Sequence, residues 1–326
     1  HTIISKYEDH LPLYRQEQIW NRLGITLPRN TVCGWIMSAF EVCMPMRDAL
    51  LEELVASNYL QADETTMQVM DEPNRKNTST SYMWVYRNHR PDKKVVLFDY
   101  QETRHAQWPK QILNDFKGYL QTDGYKGYDW VNDRPDIIHL GCFAHAKRPF
   151  AQLVKIAKTT GKSHQAVAYI QKLYALEKIA RENHYTAQQR YELRLKKAKP
   201  ILDELKIWLD KSLKTAAPKS KLGDGLVYMV QRWNELTAYL SDGSLEIDNN
   251  LIENLIRPFA LGRKNWMIAG SPRGAQAGAL FYSLIATAKA NELNTFDYLK
   301  HLFENIRFCK TSKDYKALLP SNIKQL

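Results

Sequence analysis

The chain has 326 residues, an ordinary apolar content of 44% and a net charge of +11, enough for two domains or one elaborated domain. No apolar run approaches the ~18 residues of a membrane span and no signal peptide is visible at residues 1–30, so no membrane partner is expected. Cys33, Cys43, Cys142 and Cys309 are scattered with no CxxC pair, which argues against a disulfide framework or a structural zinc and suits a reducing cytoplasm. The first residue is His1 rather than Met, so the chain is read as part of a longer product.

Residues 7–57 read as helices. LPLYRQEQIWNRLG stops at Gly24, and LPRNTVCGWIMSAF offers Asn30 or Thr31 as an N-cap before Val32, Trp35, Ile36 and Phe40. Two helices around a short turn resemble a helix-turn-helix, with a plain helical hairpin of no DNA role as the slightly preferred reading. Pro45 is expected to kink or end the second helix, with DALLEELVAS helical beyond it. From residue 59 the period shortens to that of strands. NYLQADETTMQVM, SYMWVYRNHR and KKVVLFDYQ read as a three-stranded meander, HAQWPKQILNDF as a helix, GYLQTDGY as a fourth strand and DIIHLGCF as a fifth.

Residues 151–240 read as helical again. Ser163 is a cap candidate for one helix, and Thr186 with Gln189 has capping-box spacing for the next. Residues 151–222 hold sixteen Lys or Arg against six Asp or Glu, so nearly all the net charge sits there. A basic block this uneven suits a polyanion such as nucleic acid, or simply a solvated set of Lys-rich helices.

Two short stretches carry the chemistry. In LQTDGYKGY, Asp123 ends a strand-like run that includes Phe116, Tyr119 and Leu120, and it precedes Gly124. Strands disfavour Asp and Asp-Gly is a turn dipeptide, so on this stretch alone the residue turns the chain or does chemistry. In SDGSLEIDNNLIENLIRPFALGRKNW, Asp248 is placed to cap a helix starting near Asn249. Leu251, Ile252, Leu255, Ile256 and Phe259 recur at helical spacing as a buried face, and Asn250, Glu253 and Arg257 share another side. Arg263 and Lys264 beside Trp266 combine cations with an aromatic, a pairing that grips phosphate and stacks on bases; Trp266 in the core is the rival reading.

Five stretches together, KYEDHLPLYRQ, LQADETTMQV, LQTDGYKGY, CFAHAKRPF and IDNNLIENLIRPFALGRKNWMIAGSPRGA, resemble the insertion sequence 66 family of transposases, with a DDE catalytic domain. LFYSLIATAKANELNTFDYLKHLFENI and ALLPSN resemble that family's helical tail, so the likeness covers nearly the whole chain. The resemblance implies an α/β fold: a ribonuclease-H-like mixed five-stranded sheet, ordered 3-2-1-4-5, with a helical insertion and helical N- and C-terminal segments. The expected division is 1–57 helical, 58–150 the first part of the catalytic domain, 151–242 the basic insertion, 243–275 the catalytic helix and basic loop, and 276–326 the tail. Carried over by motif, Asp63, Asp123 and Glu253 are the catalytic, metal-binding triad, and Gly124 leaves room for a metal and a phosphate to approach.

The resemblance implies two Mg²⁺ ions, replaceable by Mn²⁺, and both DNA cleavage at element ends and 3′-OH strand transfer. His145, Arg148, Arg257, Arg263, Lys264, Trp266 and Arg273 are DNA-binding candidates, with Asp248, Asn249 and Asn250 supporting the site. Expected partners are element ends and target DNA, a homodimer or higher multimer, and small accessory proteins, in the bacterial cytoplasm near the nucleoid. Two alternatives share the sequence features: a nuclease or resolvase that cuts without joining, and a non-catalytic DNA-binding remnant. Cys142 and His145 are spaced like metal ligands or a thiol–base pair, but two ligands make no zinc site, and an oxyanion hole is not evident.

Overall fold

The computed structural model describes residues 1–217 and 219–323. Four N-terminal helices, α1 (Thr2–Tyr7), α2 (Leu13–Arg22), α3 (Arg29–Cys43) and α4 (Pro45–Val55), precede strands β1 (Tyr59–Gln68), β2 (Thr80–Asn88) and β3 (Val96–Gln101). A short helix α5 (Gln107–Ile112) leads to β4 (Gly118–Gln121) and β5 (Ile137–Leu140). Helices α6 (Phe143–Ile156), α7 (Lys162–Glu182), α8 (Ala187–Leu193), α9 (Lys199–Lys214), α10 (Lys221–Gln231) and α11 (Trp233–Thr237) follow. The chain closes with α12 (Asn250–Trp266), α13 (Pro272–Ala290), α14 (Thr295–Asn305) and α15 (Ser312–Ala317). The strands form one mixed sheet in the order β3-β2-β1-β4-β5, the order that the ribonuclease-H-like reading expects.

The chain divides into two compact units, His1–Gly118 with Ile252–Leu326, and Tyr119–Leu251. In the first, β1, β2 and β3 form the antiparallel meander, with Asp63 opposite Val85 and Trp84 opposite Asp99. Aromatic rings join the helices to the strands: Phe98 of β3 lies 6.1 Å from Phe259 of α12 and 5.6 Å from Tyr282 of α13, and Tyr282 lies 5.4 Å from Tyr7 of α1. Each such pair contributes about 0.5–1.5 kcal/mol beyond its buried area.

Helix α13 also meets the outer edge of β3 with polar side chains. Ser283 Oγ accepts from Phe98 N at 2.8 Å, Thr287 Oγ1 accepts from Val96 N at 3.0 Å and donates to Val96 O at 3.1 Å, and Asn291 Nδ2 donates to Lys94 O at 2.7 Å. The three residues are four apart, so one face of the helix follows the strand edge.

Several local expectations change. Helix α3 begins at Arg29, before Asn30 and Thr31, because Glu17 of α2 accepts from Arg29 N at 3.0 Å and supplies the cap from outside the segment. Trp35 is 54% exposed, while Val32, Ile36, Phe40 and Cys43 form the buried face. Pro45 ends one helix and opens the next at its first turn, where its missing N–H costs nothing. Ser163 lies inside α7; the first turn is closed by His164 Nδ1, which accepts from Gly161 N. The Thr186–Gln189 capping box forms as the spacing predicts.

Candidate active site

The second unit builds the surroundings of Asp123. Strand β4 stops at Gln121, and Thr122 N makes one further bond to Leu140 O at 3.1 Å. Asp123 therefore stands two residues past the strand rather than on it. Its Oδ1 accepts from Tyr125 N at 2.8 Å, the side-chain turn typical of Asp, so the residue does turn the chain.

Gly124 has φ +88°, and a Cβ there would lie 2.6 Å from the Tyr228 hydroxyl, which itself donates to Asp123 O at 2.8 Å. The space beside this glycine is taken by a tyrosine of α10. That gives the glycine a local structural reason separate from any approach of a phosphate. Thr122 meets His139 of β5 at 2.8 Å, and burial lowers the His139 pKa to about 4, so this imidazole is neutral at pH 7.

The segment entering α12 is held from many sides within this unit. Gln121 Nε2 donates to Glu246 O at 2.9 Å and Gly141 O at 3.0 Å; Phe143 N donates to Ile247 O at 3.1 Å; Asn249 N reaches Cys142 Sγ at 3.2 Å. Asp248 is the cap that its position predicts: Oδ1 accepts from Asn250 N at 3.0 Å, and Oδ2 accepts from Asn250 Nδ2 and the Tyr174 hydroxyl, both at 2.7 Å. Asp248 and Asn249 are buried, whereas Asn250 is exposed.

Arg194, one of the sixteen cations of the basic block, is wholly buried. Its guanidinium pairs with Glu177 at 2.8 and 2.9 Å and donates to the carbonyls of Tyr239, Asp242 and Leu245. A wide helical turn at Arg194–Ala198 carries it. Arg190 extends the network to Glu246 at 3.0 Å. Sequence reading missed this brace: Arg190 and Arg194 sit four apart in a Lys-rich run, the pattern of an exposed helix.

Cys142 is buried and its thiol is pushed up to about 12, chiefly by burial. His145 Nδ1 lies 3.3 Å from its sulfur. A protonated buried thiol is neither nucleophile nor ready ligand, which speaks against Cys142 as a nucleophile or a metal ligand. Arg148, one turn on along α6, is exposed.

In the first unit, Asp63 sits on β1, half-buried, with Oδ1 accepting from Glu64 N at 2.8 Å. Glu253 lies half-buried in the first turn of α12. Of the expected apolar face of that helix, Ile252 and Phe259 are buried, Leu255 and Ile256 are half-buried and Leu251 is 38% exposed. Trp266 packs edge-on against Phe259 at 5.6 Å, which favours the packing reading of that residue over stacking on a base. Arg263 donates to Thr66 Oγ1 at 3.0 Å, Lys264 and Arg257 are exposed, and Arg273 is paired with Glu41.

Three carboxylates are the donors a hard divalent ion takes. Yet among the described residues no group of three or more His, Cys, Asp and Glu side chains is gathered closely enough to hold a metal ion. The donor chemistry of the three carboxylates suits a hard cation such as Mg²⁺.

Residues 1–277 match the family model described as Transposase IS66 family, and residues 283–321 match the IS66 C-terminal element. The chain belongs to the IS66 family of transposases. Three curated relatives come from Sinorhizobium fredii (strain NBRC 101917 / NGR234). The uncharacterized protein y4jD is 32% identical, over 99% of this chain and 65% of its own length. The uncharacterized protein y4qI is 32% identical, over 98% and 61%, and the uncharacterized protein y4hP is 28% identical, over 97% and 60%. The chain thus spans less than two thirds of these relatives. Among the described residues no helix is long and apolar enough to cross a membrane.

Proposed function

We propose that the chain cuts DNA at the ends of its mobile element and joins the freed end to target DNA, with Asp63, Asp123 and Glu253 carrying the reaction. The observation that supports this most is the family match across residues 1–277, which contains all three carboxylates. In the first step a water oxygen attacks phosphorus, the P–O3′ bond breaks, and the departing 3′ oxygen takes a proton. In the second step that 3′-OH attacks a target phosphorus and displaces the target's own 3′ oxygen. Each step exchanges one phosphodiester bond or hydrolyses it, so no ATP is required.

Two Mg²⁺ ions, with Mn²⁺ as substitute, are the cofactors of this reading, and such a pair supplies charge stabilisation for the attacking and leaving oxygens. The residues of the chain do the holding. The side-chain turn at Asp123 and the Tyr228 bond to its carbonyl fix one carboxylate, and the Asp248 cap fixes the start of the helix that carries Glu253. His145, Arg148, Arg257, Arg263, Lys264 and Arg273 are the proposed phosphate contacts; Arg273 must exchange Glu41 for phosphate to serve. The proposed setting is the bacterial cytoplasm near the nucleoid, as a dimer or higher multimer around paired ends, with small accessory proteins of the element.

The test is cleavage of labelled DNA bearing the element's end, with Mg²⁺ or Mn²⁺, with EDTA, and with Asp123→Asn. Metal-dependent cutting that leaves a 3′-OH, abolished in Asp123→Asn while DNA binding persists, is the expected outcome. Equal cutting by both proteins overturns it. A joining assay then separates a transposase from a nuclease that only cuts.

A further inference from the structure

The hairpin between β1 and β2 is not among the residues that sequence motifs assign to DNA. In the first unit it borders a groove of about 390 Å³, whose lining includes Thr66, Gln68, Thr78, Ser79, Arg263 and Lys264. No Asp or Glu side chain lines it. Five other arginines of this unit are paired with carboxylates: Arg47 with Asp99, Arg75 with Glu72, Arg90 with Asp92, Arg104 with Glu64 and Arg273 with Glu41. Arg263 differs. Its guanidinium is held by two neutral hydroxyls, Thr66 Oγ1 at 3.0 Å and Thr65 Oγ1 at 3.4 Å. Lys264 is exposed beside it. Two positive charges therefore face a groove whose other polar groups are hydroxyls and an amide.

The walls are built rather than loose. Gln68 Nε2 donates to Asn77 O at 2.6 Å, Asn77 Oδ1 accepts from Asp71 N at 2.9 Å, and Ser79 N donates to Lys76 O at 2.8 Å. The segment after α12 is tied to the end of β1 by Ala269 N to Gln68 O at 3.0 Å and Met70 N to Ala269 O at 2.9 Å. Helix end and hairpin thus hold fixed positions before a ligand arrives, which lowers the ordering cost of binding.

We propose that this groove seats the sugar-phosphate backbone of DNA, with the hairpin hydroxyls of Thr78 and Ser79 and the cations Arg263 and Lys264 contacting phosphate oxygens. The chemistry selects backbone over bases. Lysine, arginine and small hydroxyl residues are phosphate partners, and no aromatic ring lines the groove to stack on a base. Recognition here is independent of sequence. This inference rests on the transposase reading for its polyanion.

The experiment is equilibrium binding of a labelled duplex, of element-end and of unrelated sequence, at a series of salt concentrations. Lys264→Gln changes an exposed side chain and leaves the packing intact. It is expected to weaken both duplexes alike and to reduce the slope of log K against log salt by about one. Arg263→Gln is expected to do the same. The double variant Thr78→Val/Ser79→Ala is expected to weaken binding several-fold with the slope unchanged.

A wild-type slope in both cation variants overturns the groove, and so does loss of binding to one sequence alone. If the wild type binds with this salt signature but never cuts, the groove stands and the transposase reading falls. If it cuts while the cation variants keep the wild-type slope, the groove falls and the reading stands. No binding by the wild type overturns both.

Discussion

Arg194 and Glu177 form a two-pronged ion pair, at 2.8 and 2.9 Å, between two side chains that are 0% and 3% exposed. The remaining N–H groups of the arginine go to three carbonyls on the path into α12. Arg194→Met leaves Glu177 with Arg190 as its one ion-pair partner, at 2.8 Å, and leaves the three carbonyls without their donor, so it is expected to destabilise the second unit by about 2–4 kcal/mol. Arg194→Lys restores only part of this, because an ammonium cannot reproduce the planar fork. Urea unfolding of the three proteins measures both effects.

Burial pushes the Glu177 carboxyl up, but Arg194 and Arg190 outweigh it and hold its pKa below the ordinary 4.5. A carboxyl depressed in the folded state stabilises above its unfolded pKa, and that contribution is lost as pH falls through the folded value. The stability gap between wild type and Glu177→Gln is therefore expected to be full at pH 6 and to shrink in acid, beginning near pH 4.5. Denaturant midpoints across that range check it.

His139 also loses stability as pH falls, in a higher window and for a different reason. Its pKa falls from 6.5 to about 4 because burial disfavours the imidazolium. Above pH 6.5 both folded and unfolded forms are neutral. Between 6.5 and 4 only the unfolded chain takes up the proton, so stability drops by about 1.4 kcal/mol per pH unit. His139→Gln, which does not titrate, is expected to flatten this part of the stability profile.

Gly124 and Tyr228 make a second testable pair. A Cβ at Gly124 meets the tyrosine hydroxyl at 2.6 Å and sits at φ +88°. Gly124→Ala is expected to cost about 1–3 kcal/mol through strained backbone plus the clash. In the Gly124→Ala/Tyr228→Phe double variant the part due to the hydroxyl is relieved and the backbone part remains. A double-mutant cycle in thermal unfolding separates them.

The cysteines should divide by reagent. Burial pushes the Cys43 and Cys142 thiols up to about 12, whereas Cys33 is exposed. Native protein at pH 8 is expected to give one fast thiol, lost in Cys33→Ser, a slower one at half-buried Cys309, whose thiol is pushed up by burial and by Asp314, and no reaction at Cys43 and Cys142 until unfolding. Time-resolved labelling with an aromatic disulfide reads this directly.

The strands were legible because β1, β2 and β3 carry dense β-branched and aromatic runs broken by polar turns. The cap at Asp248 and the box at Thr186 were legible because both partners lie within three residues. What escaped the sequence lies across long separations. The cap of α3 comes from Glu17 in another helix, and the carbonyl acceptors of Arg194 lie 45 to 51 residues further on. A run of cations shows its charge in the sequence but not which members are already spent inside the fold. The apolar residues before Asp123 suggest a strand that reaches it, but the strand ends at Gln121, where Thr122 and Asp123 direct their side chains to a histidine and a backbone amide.

The outer edge of β3 ends in the hydroxyls of Ser283 and Thr287 and the amide of Asn291 rather than in open backbone groups. A guest strand arriving there would find its partners already engaged. This edge of the sheet is therefore closed to strand exchange, and an assembly of several copies cannot be built by adding a strand to β3.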